Sequence, residues 1–211
     1  MKFDHVIWTF RLVNKGCYIS RLFGFDNKYQ ITLGTPLLES FPADATFKMK
    51  PTFPKNTITP DNLKSFERLV STPMCDFLRS KELRNVEFLP VTVLNHRGRP
   101  VKPPYHIVHP IHAIDCLDDV ACGITFDDPP DNDYIEEVEN FVLDPDKCDD
   151  FPAIFRVKRM GVHIMVHRQL AKELDEAGFT GNGWIEPSRI GGMWLGGGPM
   201  AEPDDDDDDD E

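Results

Sequence analysis

Val86-Glu87-Phe88-Leu89-Pro90-Val91-Thr92-Val93-Leu94, closed by Asn95-His96-Arg97-Gly98 and followed by Tyr105-His106-Ile107-Val108-His109-Pro110-Ile111, is the stretch that decides the fold. Its β-branched and aromatic residues, with turn formers between the two runs, predict strand, turn and strand. Further strand-like runs lie outward from it at Ala121–Phe126, Tyr134–Leu143, Ala153–Lys158 and Val162–Val166, and earlier at Val6–Val13 and Tyr29–Leu33. Helices are fewer. Thr59 is expected to cap one, with Pro60 at its first position and Leu63, Phe66, Leu69 and Val70 recurring at helical spacing. Thr72, before Pro73, opens a shorter one bearing Met74, Phe77 and Leu78. The clearest runs from His167 to Ala177, with Leu170 and Leu174 on one face and Gly178 suited to the left-handed position that ends a helix. The expected class is α+β, a mostly antiparallel sheet with a few helices packed on it.

A chain of 211 residues with 15 Phe and 40% hydrophobic residues can bury one ordinary core, which excludes disorder of the whole. One domain is expected over residues 1–190, opening with an irregular arm broken by Pro36, Pro42, Pro51, Pro54 and Pro60. Residues 191–211 read as a Gly-rich linker and a disordered acidic tail. No window offers the roughly 18 consecutive apolar residues of a membrane span. The first residues, Met1-Lys2-Phe3-Asp4-His5-Val6, lack a secretory pattern. Five scattered cysteines (Cys17, Cys75, Cys116, Cys122, Cys148) form no C-x-x-C pair and read as buried thiols. A cytoplasmic location is the expectation.

The net charge of −13 is unevenly spread. Residues 1–126 are mildly basic at +4, residues 127–150 carry −10, and residues 201–211 carry −9. Two acidic blocks on a basic body oppose direct binding to nucleic acid, whose phosphates need Lys and Arg, and attract a basic partner.

Motifs for chemistry are weak. His106, His109 and His112 could bind zinc if they converged, but on a strand His109 faces away from the other two, and Pro110 argues against a helix that would align them. His163 and His167 are four apart without the Glu of H-E-x-x-H. No G-x-S-x-G elbow exists, and Gly196-Gly197-Gly198 lacks the Lys-Ser/Thr of a phosphate loop. No catalytic residue, metal or cofactor is assigned. The acidic block carries the functional reading. Asp127, Asp128, Asp131 and Asp133 fall on a loop joining two predicted strands, and Glu136, Glu137 and Glu139 follow, with Asp144, Asp146, Asp149 and Asp150 closing the next turn. These carboxylates are either solvated loop charge or a docking surface for a basic protein, such as a nuclease whose own face is built for phosphates. The rival surface is the aromatic N-terminal half, where Phe and Trp could anchor a partner.

Gly34–Leu38, Ala45–Met49, Val86–Val93, Tyr105–Cys116 with its Ala113-Ile114-Asp115 ending, Phe141–Asp144, Ile154–Val157 and Leu170–Gly181 occur in that order. The whole resembles the myxobacterial-type immunity-protein family of bacterial polymorphic-toxin systems, formerly a domain of unknown function, over roughly residues 34 to 185. The resemblance rests on strand and helix patterning and on a terminal helix followed by Ala-Gly-x-x-Gly. It implies a protein that binds and neutralises a cognate toxin encoded beside it, often a nuclease, with no catalytic residues to carry over. A hydrolase with a cleft not visible as a motif, and an acidic adaptor, are the alternatives.

Overall fold

The computed structural model describes residues 4–65, 67–126, 135–147 and 151–194. The strand-turn-strand stretch forms as expected. β5 (Val86–Leu94) and β6 (Tyr105–Pro110) pair antiparallel, from Val86 opposite Pro110 to Val91 opposite Tyr105. At the turn, Asn95 Oδ1 accepts from the Arg97 and Arg99 amides, and Gly98 takes φ 68°. A short Asn side chain and a residue without Cβ suit those two jobs. Pro90 is tolerated inside β5 because β2 (Thr46–Lys48) pairs only with Thr92–Leu94, so among the described residues no strand lies on that side of it.

Among the described residues the chain forms three sheets. The first orders β2-β5-β6-β4-β3, with β3 at Asn62–Leu63 and β4 at Leu69–Ser71; only the β2–β5 pairing is parallel. The second orders β11-β1-β10-β9, with β1 at His5–Phe10, β9 at Ile154–Arg156, β10 at Ile164–His167 and β11 at Asn182–Ile185. The third orders β12-β8-β7, with β7 at Ile124–Phe126, β8 at Ile135–Asn140 and β12 at Gly191–Trp194. The helices are α1 (Tyr29–Leu33), α2 (Thr72–Arg79), α3 (Asp119–Cys122) and α4 (Arg168–Glu176).

Strand alternation distributes the apolar side chains over three cores. Tyr105 and Ile107 face the N-terminal arm, with Phe47, Leu22 and Leu37. Val108, on the other face of β6, meets Val6 and Trp8 of the second sheet, with α2 and α4 closing that layer. Ile7, Phe155 and Met165 point the opposite way, into the core shared with the third sheet. Trp8, Tyr105, Phe47 and Phe155 are almost fully buried, each stabilising the fold by about 1.5–3 kcal/mol. Buried Arg68 joins the first two sheets: its Nε and Nη2 donate to the Trp8 carbonyl at 3.0 and 2.6 Å.

Several expectations are corrected. Tyr29–Leu33 is a helix, not a strand, ended by Gly34 at φ 69°, and only Ile31 is buried. The helix expected from Thr59 is absent: Asn62–Leu63 and Leu69–Ser71 are strands, with Phe66 outside the described residues. Tertiary bonds override the local pattern there. Asp61 holds Ser71 Oγ at 2.7 Å and the Thr180 amide at 2.9 Å, while Asn62 Nδ2 reaches the Thr9 carbonyl at 2.9 Å. The helix at Thr72–Arg79 forms one residue early, with Ser71 as its cap. Residues 119–122, partly read as strand, are α3. Gly191–Trp194, read as linker, pairs with β8, so the unpaired exit cannot begin at Gly191. The acidic tail lies outside the described residues.

Candidate functional site

The third sheet and α3 form a lobe on which carboxylates gather. β8 carries an extra residue opposite β7: Thr125 pairs with Glu137 but Phe126 with Ile135, leaving Glu136 as a bulge. The bulge resets the alternation, so Ile135 and Val138, three apart, are both buried, while Glu137 and Glu139 are exposed. α3 packs against β8. Asp118 caps it, its Oδ1 accepting from the Val120 and Ala121 amides at 3.1 and 3.0 Å, and Gly123 ends it at φ 59°. A Cβ on Gly123 would lie 2.7 Å from the Glu139 carboxylate, which places that carboxylate over the end of α3. Behind the helix, the Asp118 amide donates to the Val142 carbonyl, the Asp144 amide donates to the Cys116 carbonyl, and Asp144 Oδ1 accepts from the Asp146 amide.

The lobe and the segments packed behind it therefore carry Asp115, Asp118, Asp119, Glu137, Glu139, Asp144 and Asp146. Arg159 is its anchor: Nη1 and Nη2 grip Asp119 at 3.2 and 2.7 Å, and Nη2 reaches Asp115 at 3.1 Å. Burial works against the Arg159 charge, but the two carboxylates outweigh it and raise its pKa; the same bond holds the Asp119 carboxyl below its usual range. Asp118, Glu137, Glu139, Asp144 and Asp146 make no ion pair among the described residues. At the tip of α3, between these acids, Val120 is 92% exposed. Beneath, the buried Cys122 thiol exchanges bonds with Val142, and burial pushes its pKa up.

Of the carboxylates expected to bind a partner, the structure places Glu137 and Glu139 on this face and the backbone of Glu136 at the bulge. Asp127, Asp128, Asp131 and Asp133 lie outside the described residues, between β7 and β8. Asp118, Asp119 and Val120 were not singled out in the sequence, and Asp115 only within the Ala113-Ile114-Asp115 ending, although Asp118 five residues before Gly123 is a cap-to-cap signal for one helical turn.

The histidines of β6 do not converge. His109 is buried, shares the face of Tyr105 and Ile107, and its Nε2 lies 2.7 Å from the Thr35 carbonyl; His106 faces the other way, and His112 is exposed at φ 57°. His163 is buried, whereas His167 caps α4. A groove of about 420 Å³ between α4 and β11 has its charges paired off. Arg168 bonds Asp4 and Glu186, and Trp184 Nε1 donates to Asp175. None of the described residues lining that groove is a serine, threonine, cysteine or histidine.

What the acidic lobe offers another molecule is a field of carboxylates around one apolar side chain, the chemistry of a binding protein. A family model matches residues 11–188, described as Immunity protein family (Imm11), and the chain belongs to that family. Its role is that of an immunity protein, which implies a cognate toxin as partner. The match begins well before Gly34, so it also takes in the N-terminal arm that precedes the resemblance seen in the sequence. A comparison with curated proteins found none that matches. No helix among the described residues is long and apolar enough to cross a membrane.

Proposed function

We propose that this protein neutralises its toxin by stoichiometric binding, without turnover, and that the acidic lobe is the toxin-facing surface. The observation that supports this is the set of carboxylates around the exposed Val120, five of which make no ion pair among the described residues, on a chain whose family implies a toxin partner. Residues 127–133, which join β7 to β8 in the sequence, carry four more carboxylates. The toxin such a face suits is basic, and a nuclease, which must present Lys and Arg to phosphate, meets that requirement. The carboxylates stand in for the phosphates, and Val120 supplies an apolar contact at the centre. A standard interface of roughly 1,600 Å² centred there could bind with nanomolar affinity or better.

The test is a titration of the toxin encoded beside this chain. Its activity should vanish at an equimolar ratio, with both proteins recovered as one complex of unchanged mass. Inhibition well below equimolar, continuing with time, would replace this reading with an enzyme.

A further inference from the structure

At the opposite charge extreme, a second surface surrounds the end of β1. Residues 11–18, Asn56, Pro60, Asn62 and Lys64 enclose a groove of about 320 Å³ with no carboxylate in its wall among the described residues. Arg11, Lys15 and Lys64 stand exposed on its rim and form no ion pair among the described residues. Lys64 Nζ sits 5.1 Å from the Phe10 ring centre and 5.2 Å from that of Tyr18, held between two aromatic faces. Asp61, adjacent in sequence, is turned away onto Ser71 and Thr180. The rim is fixed: the Arg11 amide donates to the Gly181 carbonyl, the Ile58 amide to that of Lys15, and Asn56 Nδ2 to that of Gly16.

The wall of the groove is closely packed: Asn62 is 1% exposed and its Nδ2 donates to the Thr9 and Gly181 carbonyls. Arg11, Lys15 and Lys64 are spread along the rim, so a run of carboxylates on one peptide can meet all three at once, which a single inorganic anion cannot.

We infer that this groove binds the chain's own C-terminal acidic run, Asp204–Glu211. That run supplies eight consecutive carboxylates. The nine residues from Leu195 to Pro203 that join it to β12 can span up to about 30 Å. Tethering raises the local concentration to the millimolar range, so a modest affinity suffices to keep the groove occupied. Docked there, the tail masks the basic face and keeps it from acidic bystanders.

Zero-length carbodiimide coupling of the full chain, which joins a carboxylate to a lysine amine with loss of water, tests this by mass spectrometry. Lys15 and Lys64 should couple within one chain to residues 204–211, and the yield should fall at least about fivefold between low and 0.5 M salt, as screening predicts. Arg11→Glu retains both reporter lysines and should cut their yields severalfold while leaving coupling at Lys28 unchanged. Tail links spread evenly over exposed lysines, links only between copies, or no tail links at Lys15 and Lys64 would each overturn the inference. No toxin enters the assay, so its result is independent of the toxin-facing surface.

Discussion

Val120 leaves 92% of its surface in water, flanked by Asp119 and one turn from the Gly123–Glu139 contact. Its side chain contributes little to the fold, so Val120→Arg should change stability by no more than about 0.5 kcal/mol. If the toxin seats on it, the same change places a cation among the carboxylates that face a basic partner. Toxin affinity should fall at least tenfold, about 1.4 kcal/mol, with an unchanged melting curve as the control. The histidines give a second prediction at this scale. Burial depresses His163 to about 4, with Arg68 adding to the effect, and burial likewise depresses His5 to about 4. In the unfolded chain both titrate near 6.5, so between those values the unfolded state holds more protons than the folded one. Stability is therefore complete above pH 6.5 and is lost as pH falls toward 4, by up to about 1.4 kcal/mol per pH unit for each group. Melting temperatures from pH 7 to pH 4.5 check this, and His163→Gln should flatten the curve.

Helix α3 shows why elements differed in how readily they could be read. Strands β5 and β6 and helix α4 were legible because each is long enough to repeat its period, and each is closed by its own turn residue: Asn95 and Gly98 for the hairpin, Gly178 at φ 79° after α4. In α1 and α3, five and four residues long, one turn of helix and a half-buried strand place apolar residues alike. The segment from Thr59 to Val70 has helical spacing and a cap, yet long-range bonds from Asp61, Asn62 and Arg68 hold it as strands. Apart from Ser71, ten residues from Asp61, those partners lie 53 to 119 residues away in sequence and leave no local trace. Of the candidate site, the charge was legible and the acidic residues of α3 were not, since they are brought beside β8 only by folding. Asp118 gives the prediction at this scale. Asp118→Ala removes the cap and should cost about 1 kcal/mol in a chemical melt. Asp118→Asn keeps a capping side chain and should cost little, while still slowing toxin association through the lost charge.

The whole molecule stacks its N-terminal arm and three sheets, with the cores between them. The carboxylate lobe built on the third sheet holds the opposite sign of charge from the groove at the end of β1. That separation lets one chain attract a basic partner at one place without collapsing its own charge pattern. The rate of toxin capture is the property that a carboxylate surface should change most. Association rates should be measured at two ionic strengths for the natural chain and for a variant carrying Asp127→Asn, Asp128→Asn, Glu137→Gln and Glu139→Gln. Electrostatic steering predicts a rate about tenfold lower for the variant at low salt and a shallower loss with added salt. Equal rates and equal salt dependence for the two chains would contradict the acidic lobe as the toxin-facing surface.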